Sequence, residues 1–496
     1  MPRAVLAIDQ GTTGTTALVI GHEGSVLGRA YSEFTQYYPN PGWVEHDAEE
    51  IWRVSLGVAE RAVAASDVEA AELAAIGITN QRETTVVWDR RSGRPVHRAL
   101  VWQSRQTAEI CQRLRDAGHE DWVRERTGLV LDPYFSASKI RWMLDRVPDG
   151  QRLAEAGDLL FGTIDSWLLW KLTGGEIHAT EPTNASRTLL YDIRRRRWSS
   201  DLLELFDVPR AMLPKVLPSA GQFGVTRTLG SLPAGVPVAG IAGDQQAALF
   251  GQACWRPGMV KATYGTGSFV VLHTGDEVAV SDGGLVATVC CDADGEPAYA
   301  LEGSIFTTGA AIQWLRDEMG LIRHAAETET IGRRVDDTMG VYVVPAFAGL
   351  GAPHWDMHAR GAVVGLTRGS GRDQIIRATL DSIAYQTRDV IEIMNRDSGI
   401  EITELRVDGG AAANDVLMQF QADLLGIPVV RPVLVETTAA GAAFLAGLGS
   451  GFWSSSAEIA GSWRRERLFE PTMNAARRDK LVAGWRRAVR RVLSKD

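Results

Sequence analysis

Two aspartates and one arginine–glutamate pair occupy positions in this sequence where they could act in catalysis or ligand binding. Asp9 ends the apolar run AVLAID, and Asp244 ends the β-rich run in VPVAGIAGD and starts a predicted helix. A carboxylate at Asp244 could accept a hydroxyl proton during phosphoryl transfer, and it could also cap the helix, so these two roles are compatible. Arg82 and Glu83 lie between two β-rich runs. They form either a weak surface ion pair or a polyol-binding pair, because a guanidinium donates hydrogen bonds and a carboxylate accepts them.

Glycine-rich turns recur along the chain. DQGTTGTT (9–16) joins two β-rich runs, and related turns follow in TYGTGS (263–268), EGSIFTTGAA (302–311) and VDGGAAAN (407–414). The Walker A string G-x-x-x-x-G-K-[ST] does not occur, so the lysine of a P-loop is missing. Backbone N–H groups and threonine hydroxyls in such turns can bind an anion, and Asp9 could hold Mg²⁺. One such turn is also ordinary hairpin geometry, but their recurrence predicts a nucleotide-binding cleft.

Aromatic residues and a histidine-rich loop give weaker indications. Trp102 and Tyr134 lie in predicted loops, where they pack against the core or form a wall beside the carbon skeleton of a small hydroxylated ligand. His354, Asp356 and His358 in HWDMH have a spacing that metal ligands can have. Since no fourth ligand is evident near this loop, a structural role is favoured.

The composition excludes several classes of protein. A chain of 496 residues predicts two or three domains, and a net charge of −9 argues against a general nucleic-acid or anionic-membrane binder. No apolar run reaches the roughly 18 residues of a membrane span, and Asp9 interrupts the N-terminal apolar run, so neither membrane insertion nor a secretory signal is predicted. The four cysteines lack C-x-x-C spacing, which indicates neither a zinc site nor a disulfide framework and favours the cytoplasm.

Apolar periodicity predicts a strand hairpin at the start of the chain and a second one near its middle. Residues 4–9 and 16–20 are β-rich, VLGRAYS adds a third strand, and a helix follows with Asp47 and Glu50 spaced as in a capping box. Residues 259–275 repeat the order of strand, Gly-Thr turn and strand. We therefore expect two halves of similar architecture.

The C-terminal segment AARRDKLVAGWRRAVRRVLSKD is predicted to be a basic amphipathic helix. Its apolar stripe is formed by Leu481, Val482, Trp485, Ala488, Val489, Val492 and Leu493. The favoured interpretation is a helix packed on its domain with a solvated arginine face. The alternative is a helix that binds a membrane surface or a calmodulin-like partner.

Taken together, these motifs resemble the FGGY carbohydrate kinase family over nearly the whole chain, in particular its glycerol-phosphorylating branch. The most specific are NQRETT (80–85) and GDQQAALFGQ (243–252), supported by DQGTT, TYGTGSF and LRVDGGAAAN. The resemblance implies an α/β, two-domain actin-like ATPase (ribonuclease H-like) fold with duplicated halves and an interdomain cleft. Residues 1–250 would hold the polyol and the phosphate hairpin, and residues 251–496 the adenine nucleotide.

The resemblance also implies the reaction and its residues. ATP and glycerol would give ADP and sn-glycerol 3-phosphate, with Asp244 as general base and Asp9 near Mg²⁺. The substrate contacts would be Arg82, Glu83, Tyr134 and Asp244 for the hydroxyls, Trp102 and Phe269 for the carbon backbone, and Gln245 along the wall. The nucleotide contacts would be Thr12, Thr13, Gly14, Thr266, Gly309, Gln313, Gly410 and Asn414. Relatives lead us to expect a homodimer or homotetramer.

Departures from the family pattern lead to further expectations. Many relatives continue DQGTT with two serines and an arginine, whereas this chain has Gly14, Thr15 and Thr16, and so lacks a cation beside the phosphates. The loop VTRTLGSLPAG (225–235) lacks the glycine-and-arginine pattern with which some bacterial members bind fructose 1,6-bisphosphate, so inhibition by that sugar is predicted to be weak or absent. Two rival functions are an FGGY kinase for erythritol, threitol or xylulose, and an actin-like ATPase that moves or binds partners.

Overall fold

The computed structural model describes residues 2–494 and contains two large mixed β-sheets, one from each half of the chain. The first is built from β1 (Ala4–Gln10), β2 (Gly14–Gly21), β3 (Val26–Glu33), β4 (Leu73–Asn80), β5 (Ala220–Val225) and β6 (Pro237–Gly243). Their order across the sheet is β5-β6-β4-β1-β2-β3. β1 pairs with β2 antiparallel and with β4 parallel, and β4 pairs with β6 parallel.

The second sheet follows the same plan. Its strands are β7 (Val260–Tyr264), β8 (Ser268–Gly275), β9 (Val286–Cys291), β10 (Pro297–Ile305), β11 (Leu405–Asp408), β12 (Val429–Pro432) and β13 (Arg465–Phe469), in the order β9-β10-β8-β7-β11-β12-β13. The hairpin β7–β8 is antiparallel, and β11 and β12 add in parallel on its other side. The duplication predicted from the two Gly-Thr hairpins is confirmed, because β1–β2 and β7–β8 occupy equivalent places in their sheets.

Helices pack on both sheets and around them. They are α1 (Ala48–Ala64), α2 (Asp244–Gly251), α3 (Gly309–Asp317), α4 (Arg372–Ser398), α5 (Asp415–Leu425), α6 (Thr437–Ser450) and α7 (Ala475–Arg490). Further helices follow in the chain between β4 and β5; they are Ala108–Asp116, Glu120–Thr127, Ser136–Leu144, Gly150–Glu155, Ile164–Leu172, Pro182–Ala185 and Ser200–Phe206. No helix within residues 2–494 is long and apolar enough to cross a membrane.

The predicted start of α1 is only partly right. Asp47 is the N-cap, and its side chain accepts hydrogen bonds from the N–H groups of Glu49 and Glu50. The Glu50 carboxylate does not close a capping box, however, because it accepts from the backbone N–H and the hydroxyl of Thr35 at 3.2 and 2.9 Å. The helix end is therefore tied to the segment after β3 instead of to itself.

Helix α6 comes from the second half of the chain but packs on the first sheet. Its alanines and Phe444 share one buried cluster with Val5, Leu18 and Ile20 of β1 and β2. The approach is close, since a Cβ on Gly441 would overlap the carbonyl oxygen of Ala247 in α2. Small residues are therefore required where α6 crosses α2. Through this contact both halves of the chain contribute to one buried core.

Helix α7 packs against the second half through its apolar stripe. The Trp485 ring stacks on Tyr385 with centroids 5.1 Å apart, and its Nε1 donates to Asp389 at 2.6 Å. Val482 and Val489 are buried beside it. The membrane-binding alternative is therefore wrong, because the face it needs is used in the core.

Candidate active site

The carbonyl groups in the turn between β1 and β2 are held by hydrogen bonds from the rest of the protein. The carbonyls of residues 11–13 each accept a hydrogen bond from the protein. The donors are Gln81 Nε2 to Gly11 (3.2 Å), Gln36 Nε2 to Thr12 (3.1 Å) and the Phe34 N–H to Thr13 (3.4 Å). In a trans peptide the next N–H points the opposite way, so the amides of residues 12–14 face away from these partners. Amides that face away from the protein in a Gly-Thr turn can contribute to an anion-binding concavity.

Asp9 lies half-buried at the end of β1, directly across from Thr16 on β2. Burial, and then the charge of Asp244, raise the pKa of Asp9 to about 7. A carboxylate whose ionisation is opposed by burial and by a neighbouring carboxylate fits a hard divalent cation with oxygen ligands. No group of three or more His, Cys, Asp or Glu able to hold a metal occurs within residues 2–494, so Mg²⁺ here would take its other oxygens from phosphate and water.

The predicted polyol-binding pair, Arg82 and Glu83, belongs to a buried network of two arginines and two glutamates. Arg82 contacts Glu302 through Nη1–Oε2 at 2.5 Å and Nη2–Oε1 at 3.1 Å. Arg187 donates from Nε to Glu83 Oε1 at 2.6 Å and from Nη2 to Glu302 Oε1 at 2.9 Å. All four residues are at most 2% exposed. Each charge is therefore matched by an opposite one in contact, as buried ions require.

Glu83 has an unusual backbone conformation. Its φ of +61° is left-handed, which is rare for a glutamate. The carbonyl of Glu83 accepts from the hydroxyls of Thr85 and Ser136 at 3.0 and 3.1 Å, which hold this conformation. Both guanidinium contacts of its carboxylate are made to Oε1, so Oε2 is the atom left for a ligand hydroxyl.

Asp244 is the first residue of α2, and its carboxylate faces Arg82. Oδ1 accepts from the N–H of Gln245 at 2.7 Å and lies 3.0 Å from Arg82 Nε. The predicted N-cap role is wrong by one position, because the N-cap is Gly243 and Asp244 is already helical. Both contacts go to one oxygen, which leaves Oδ2 for a proton.

A lysine that the sequence interpretation missed orients Gln245. Lys261, buried on β7, donates from Nζ to Gln245 Oε1 at 2.5 Å and to the Thr263 hydroxyl at 2.8 Å. Burial lowers the pKa of Lys261 to about 8, and the negative charges of Asp408, Asp244 and Glu302 limit that shift. This chain thus has a cation near its candidate base, although it has no P-loop lysine.

The three predicted aromatic residues border the same network. The rings of Trp102 and Tyr134 are edge to face at 5.3 Å, and Trp102 Nε1 donates to the Thr12 hydroxyl at 2.9 Å. The carbonyl of Tyr134 is fixed by buried Lys139 at 2.5 Å. Phe269, from the other half of the chain, lies under Arg82 with the guanidinium carbon 5.7 Å from its ring centroid. The structure therefore places an apolar surface next to the charged pair.

Three loops of the second half meet where the nucleotide is predicted. The N–H groups of Thr308 and Gly309 donate to the carbonyls of Thr266 and Gly265 at 2.9 and 3.0 Å. A Cβ on Gly309 would lie 2.6 Å from the oxygen of Gly265, so only glycine fits. Gly409 has a φ of +83° and a Cβ there would lie 2.5 Å from the oxygen of Tyr264, which brings the 409–414 loop onto the same turn.

The remaining predicted nucleotide residues surround these loops. Gln313 lies one turn into α3 and is exposed, as are Thr266 and Gly410. Asn414 is the N-cap of α5, where it accepts from the Leu417 N–H, and its amide donates to the Thr328 hydroxyl at 3.0 Å. Its side chain therefore already has a structural role.

Comparison with known proteins identifies the family. Residues 4–251 match the N-terminal domain of the FGGY family of carbohydrate kinases, and residues 260–450 match its C-terminal domain.

The chain belongs to the FGGY carbohydrate kinase family.

Several relatives are similar over their full length. A protein named glycerol kinase from Halorhodospira halophila is 58% identical over 99% of this chain and 96% of its own. Glycerol kinase 2 of Thermotoga maritima is 54% identical over 99% of this chain and 98% of its own. Among solved structures, Plasmodium falciparum glycerol kinase with ADP superposes with a TM-score of 0.91 at 34% identity and 99% coverage of both chains. The two-domain actin-like fold expected from the sequence is thus confirmed.

The FGGY motifs point to most of the candidate site, but they do not point to Arg187 and Glu302 of the buried network. Arg187 lies inside the motif TNASRT and Glu302 begins EGSIFTTG, so both were visible in the sequence. Neither is predicted as a site residue, because nothing local in the sequence shows that residues 82, 187 and 302 meet. Periodicity offers a partial signal, since Glu302 is a charged residue within the apolar strand β10.

The HWDMH loop has a structural role. Asp356 accepts from the N–H groups of His358 and Ala359 and from the N–H and hydroxyl of Ser494. These bonds, first among them those of Ser494, hold the pKa of Asp356 well below its usual range. The carboxylate ties the loop to the C-terminal segment that follows α7.

The loop at 225–235 is bordered by acidic groups. The N–H and hydroxyl of Ser231 donate to Glu60 Oε1 at 2.6 and 3.1 Å, and Arg227 forms an ion pair with Glu176. The arginine that could meet a phosphate there is already paired, and a second carboxylate lies close by.

Proposed function

We propose that this chain catalyses the ATP-dependent phosphorylation of glycerol to sn-glycerol 3-phosphate. The observation that carries the proposal is the fixed group of Arg82, Glu83 and Asp244, with one carboxylate oxygen of each acid left for a hydroxyl. The full-length relatives named glycerol kinase support the choice of substrate.

The residues divide the work of phosphoryl transfer between them. Arg82 donates to one glycerol hydroxyl and Glu83 accepts from another, while Tyr134 and Gln245 line the site and Trp102 and Phe269 enclose the three carbons. A further hydroxyl lies at Asp244 Oδ2. This oxygen takes the hydroxyl proton as the glycerol oxygen bonds the γ-phosphorus of ATP and the bond from that phosphorus to ADP breaks. An ordinary carboxylate suffices as base if the proton leaves late.

Phosphate binding falls to the two hairpin turns. The amides of residues 12–14 and the turn at 265–267 hold the phosphate chain, and Gly309, Gln313, Gly410 and Asn414 border the adenosine. Asp9 and the phosphates would hold Mg²⁺, which would neutralise charge on the transferred group. We assign the polyol and phosphate hairpin to residues 1–250 and the adenine nucleotide to residues 251–496, with Phe269 crossing that division.

An ATP-consumption assay tests the substrate. We would compare glycerol, dihydroxyacetone, erythritol, threitol and xylulose, with Asp244→Asn as the inactive control. Glycerol is expected to give the highest kcat/KM, because a longer chain has to pass the Trp102 and Phe269 walls. A tetritol or xylulose that outruns glycerol would refute the substrate, and ATP turnover that no polyol stimulates would favour a non-kinase actin-like ATPase.

The cellular setting and assembly belong to the same proposal. We place the enzyme in the cytoplasm, where ATP is available and where its four buried cysteines remain free thiols. We also propose a homodimer or homotetramer, as expected for the family. Light scattering coupled to gel filtration would measure the mass, and a monomer at micromolar concentration would refute the assembly.

A further inference from the structure

We propose that Glu302 is a positioning residue for the polyol, which the second half of the chain contributes to a site in the first half. Glu302 separates the two arginines and so keeps Glu83 free to accept a ligand hydroxyl. The inference rests on the proposed function and extends it to a residue that does not touch the polyol.

The contacts define the role. The Glu302 carboxylate accepts hydrogen bonds from two nitrogens of Arg82 and one of Arg187, so each of its oxygens is paired. Arg82 is thereby aligned along Glu302, and its Nε remains beside Asp244. A bidentate arginine–carboxylate pair fixes both planes, which a single contact would not do.

The charges show what would happen without it. The network contains two guanidinium groups and two fully buried carboxylates, Glu83 and Glu302. Although burial opposes ionisation, Arg187 and Arg82 lower the pKa of Glu302 to about 2, so it is charged at every working pH. If Glu302 were neutral, Glu83 would be the buried anion left for both arginines, and Arg82 would keep only the half-buried Asp244 besides it. The two arginines would then occupy both oxygens of Glu83 and compete with the polyol.

The position of Glu302 in the fold explains why it comes from the other half. Strand β10 pairs with β8, so Val271 lies opposite Glu302 and Phe269 opposite Ser304. The same strand ends at Ile305, just before the 307–309 loop that meets the phosphate turn. One strand therefore fixes the polyol network, the aromatic wall and the nucleotide loop relative to each other.

The test uses Glu302→Gln in the full-length enzyme. The amide keeps the shape but removes the charge, so the KM for glycerol is expected to rise about ten- to hundredfold, as for loss of a hydrogen bond between charged groups. The KM for ATP is expected to stay within threefold, and kcat to fall less than KM rises. Glu302→Asp, which keeps the charge on a shorter side chain, should recover part of the glycerol affinity.

Asp381→Asn is the matched control. Asp381 is also a buried carboxylate paired with an arginine, Arg377 at 2.7 Å, but it lies on α4 outside the network. It is expected to leave the KM for glycerol unchanged, which separates positioning from loss of a buried ion pair.

The outcomes distinguish this inference from the proposed function. A folded Glu302→Gln enzyme whose KM for glycerol is within twofold of the parent would overturn the inference, and so would a rise in KM for ATP as large as that for glycerol. If Glu302→Gln does not fold, Arg187→Lys decides, because lysine keeps the charge but cannot bridge Glu83 and Glu302. An unchanged KM for glycerol in that variant would refute the role. If the parent enzyme does not turn over glycerol at all, the proposed function fails instead.

Discussion

Replacing Asp9 by asparagine is expected to stabilise the ligand-free protein while abolishing its activity. The carboxylate of Asp9 is half-buried beside Asp244, and these surroundings raise its pKa from 3.8 to about 7. Because the folded state binds its proton more tightly than the unfolded state does, stability falls as pH rises from about 4 to 7. The destabilisation caused by ionised Asp9 is fully present above pH 7 and absent below about pH 4.

The magnitude follows from the size of the pKa shift. A shift of about three units corresponds to about 4 kcal/mol, and partial access of solvent reduces this to about 2–4 kcal/mol at pH 8. A chain of 496 residues unfolds with an entropy of about 1 kcal/mol/K, so Asp9→Asn should raise Tm by about 2–4 °C at pH 8. At pH 5 the gain should be about 1 °C, since most of the cost has disappeared.

Thermal unfolding in EDTA without nucleotide, at pH 5 and pH 8, measures the Tm difference between Asp9→Asn and the parent. Asp294→Asn is the control, because Asp294 is an exposed carboxylate and its loss should shift Tm equally at both pH values. With Mg²⁺ and ATP present the order should reverse, as only the parent enzyme binds the metal at Asp9. A variant less stable than the parent at pH 8, or a gain of equal size at both pH values, would refute the electrostatic reasoning.

Three further predictions concern catalysis and regulation. Asp244→Asn should lower kcat about 10²–10⁴-fold with the KM for ATP nearly unchanged, because the amide cannot accept the hydroxyl proton; a kcat within tenfold of the parent would contradict this. Thr16→Arg should lower the KM for ATP about two- to fivefold, since position 16 is directly across from Asp9, and an unchanged KM would mean that the phosphates do not depend on a cation there. Fructose 1,6-bisphosphate should not inhibit at millimolar concentration, because the loop 225–235 is bordered by two glutamates. Dose-dependent inhibition in initial-rate assays would show that this loop does bind the sugar.

The sequence was sufficient for the parts of the molecule that depend on local pattern. The Gly-Thr hairpins at β1–β2 and β7–β8 were predictable because a tight turn between apolar runs is encoded within about fifteen residues. The packed position of α7 was predictable from its apolar stripe. Motif similarity then identified the residues expected to contact the ligands.

What the sequence could not show depends on contacts between distant segments. Arg82, Arg187 and Glu302 are more than a hundred residues apart from one neighbour to the next, and their pairing is a result of the fold. The same applies to Glu50, whose spacing from Asp47 suggested a capping box although its carboxylate bonds Thr35. Local spacing shows which hydrogen-bond partners a side chain could reach along the chain. Its tertiary neighbours determine which partner it takes.

The packing of α6 on the first sheet also has a consequence for synthesis of the chain on the ribosome. The first sheet is complete once Gly243 has been made, but the helix that covers β1 and β2 ends only at Ser450. At about 5–20 residues per second, translation of the intervening segment of about 200 residues takes about 10–40 s. During that time an apolar sheet face that includes Val5, Leu18 and Ile20 lacks its cover. We therefore expect nascent chains stalled between these two points to recruit chaperones, and chains released after residue 450 to lose that requirement.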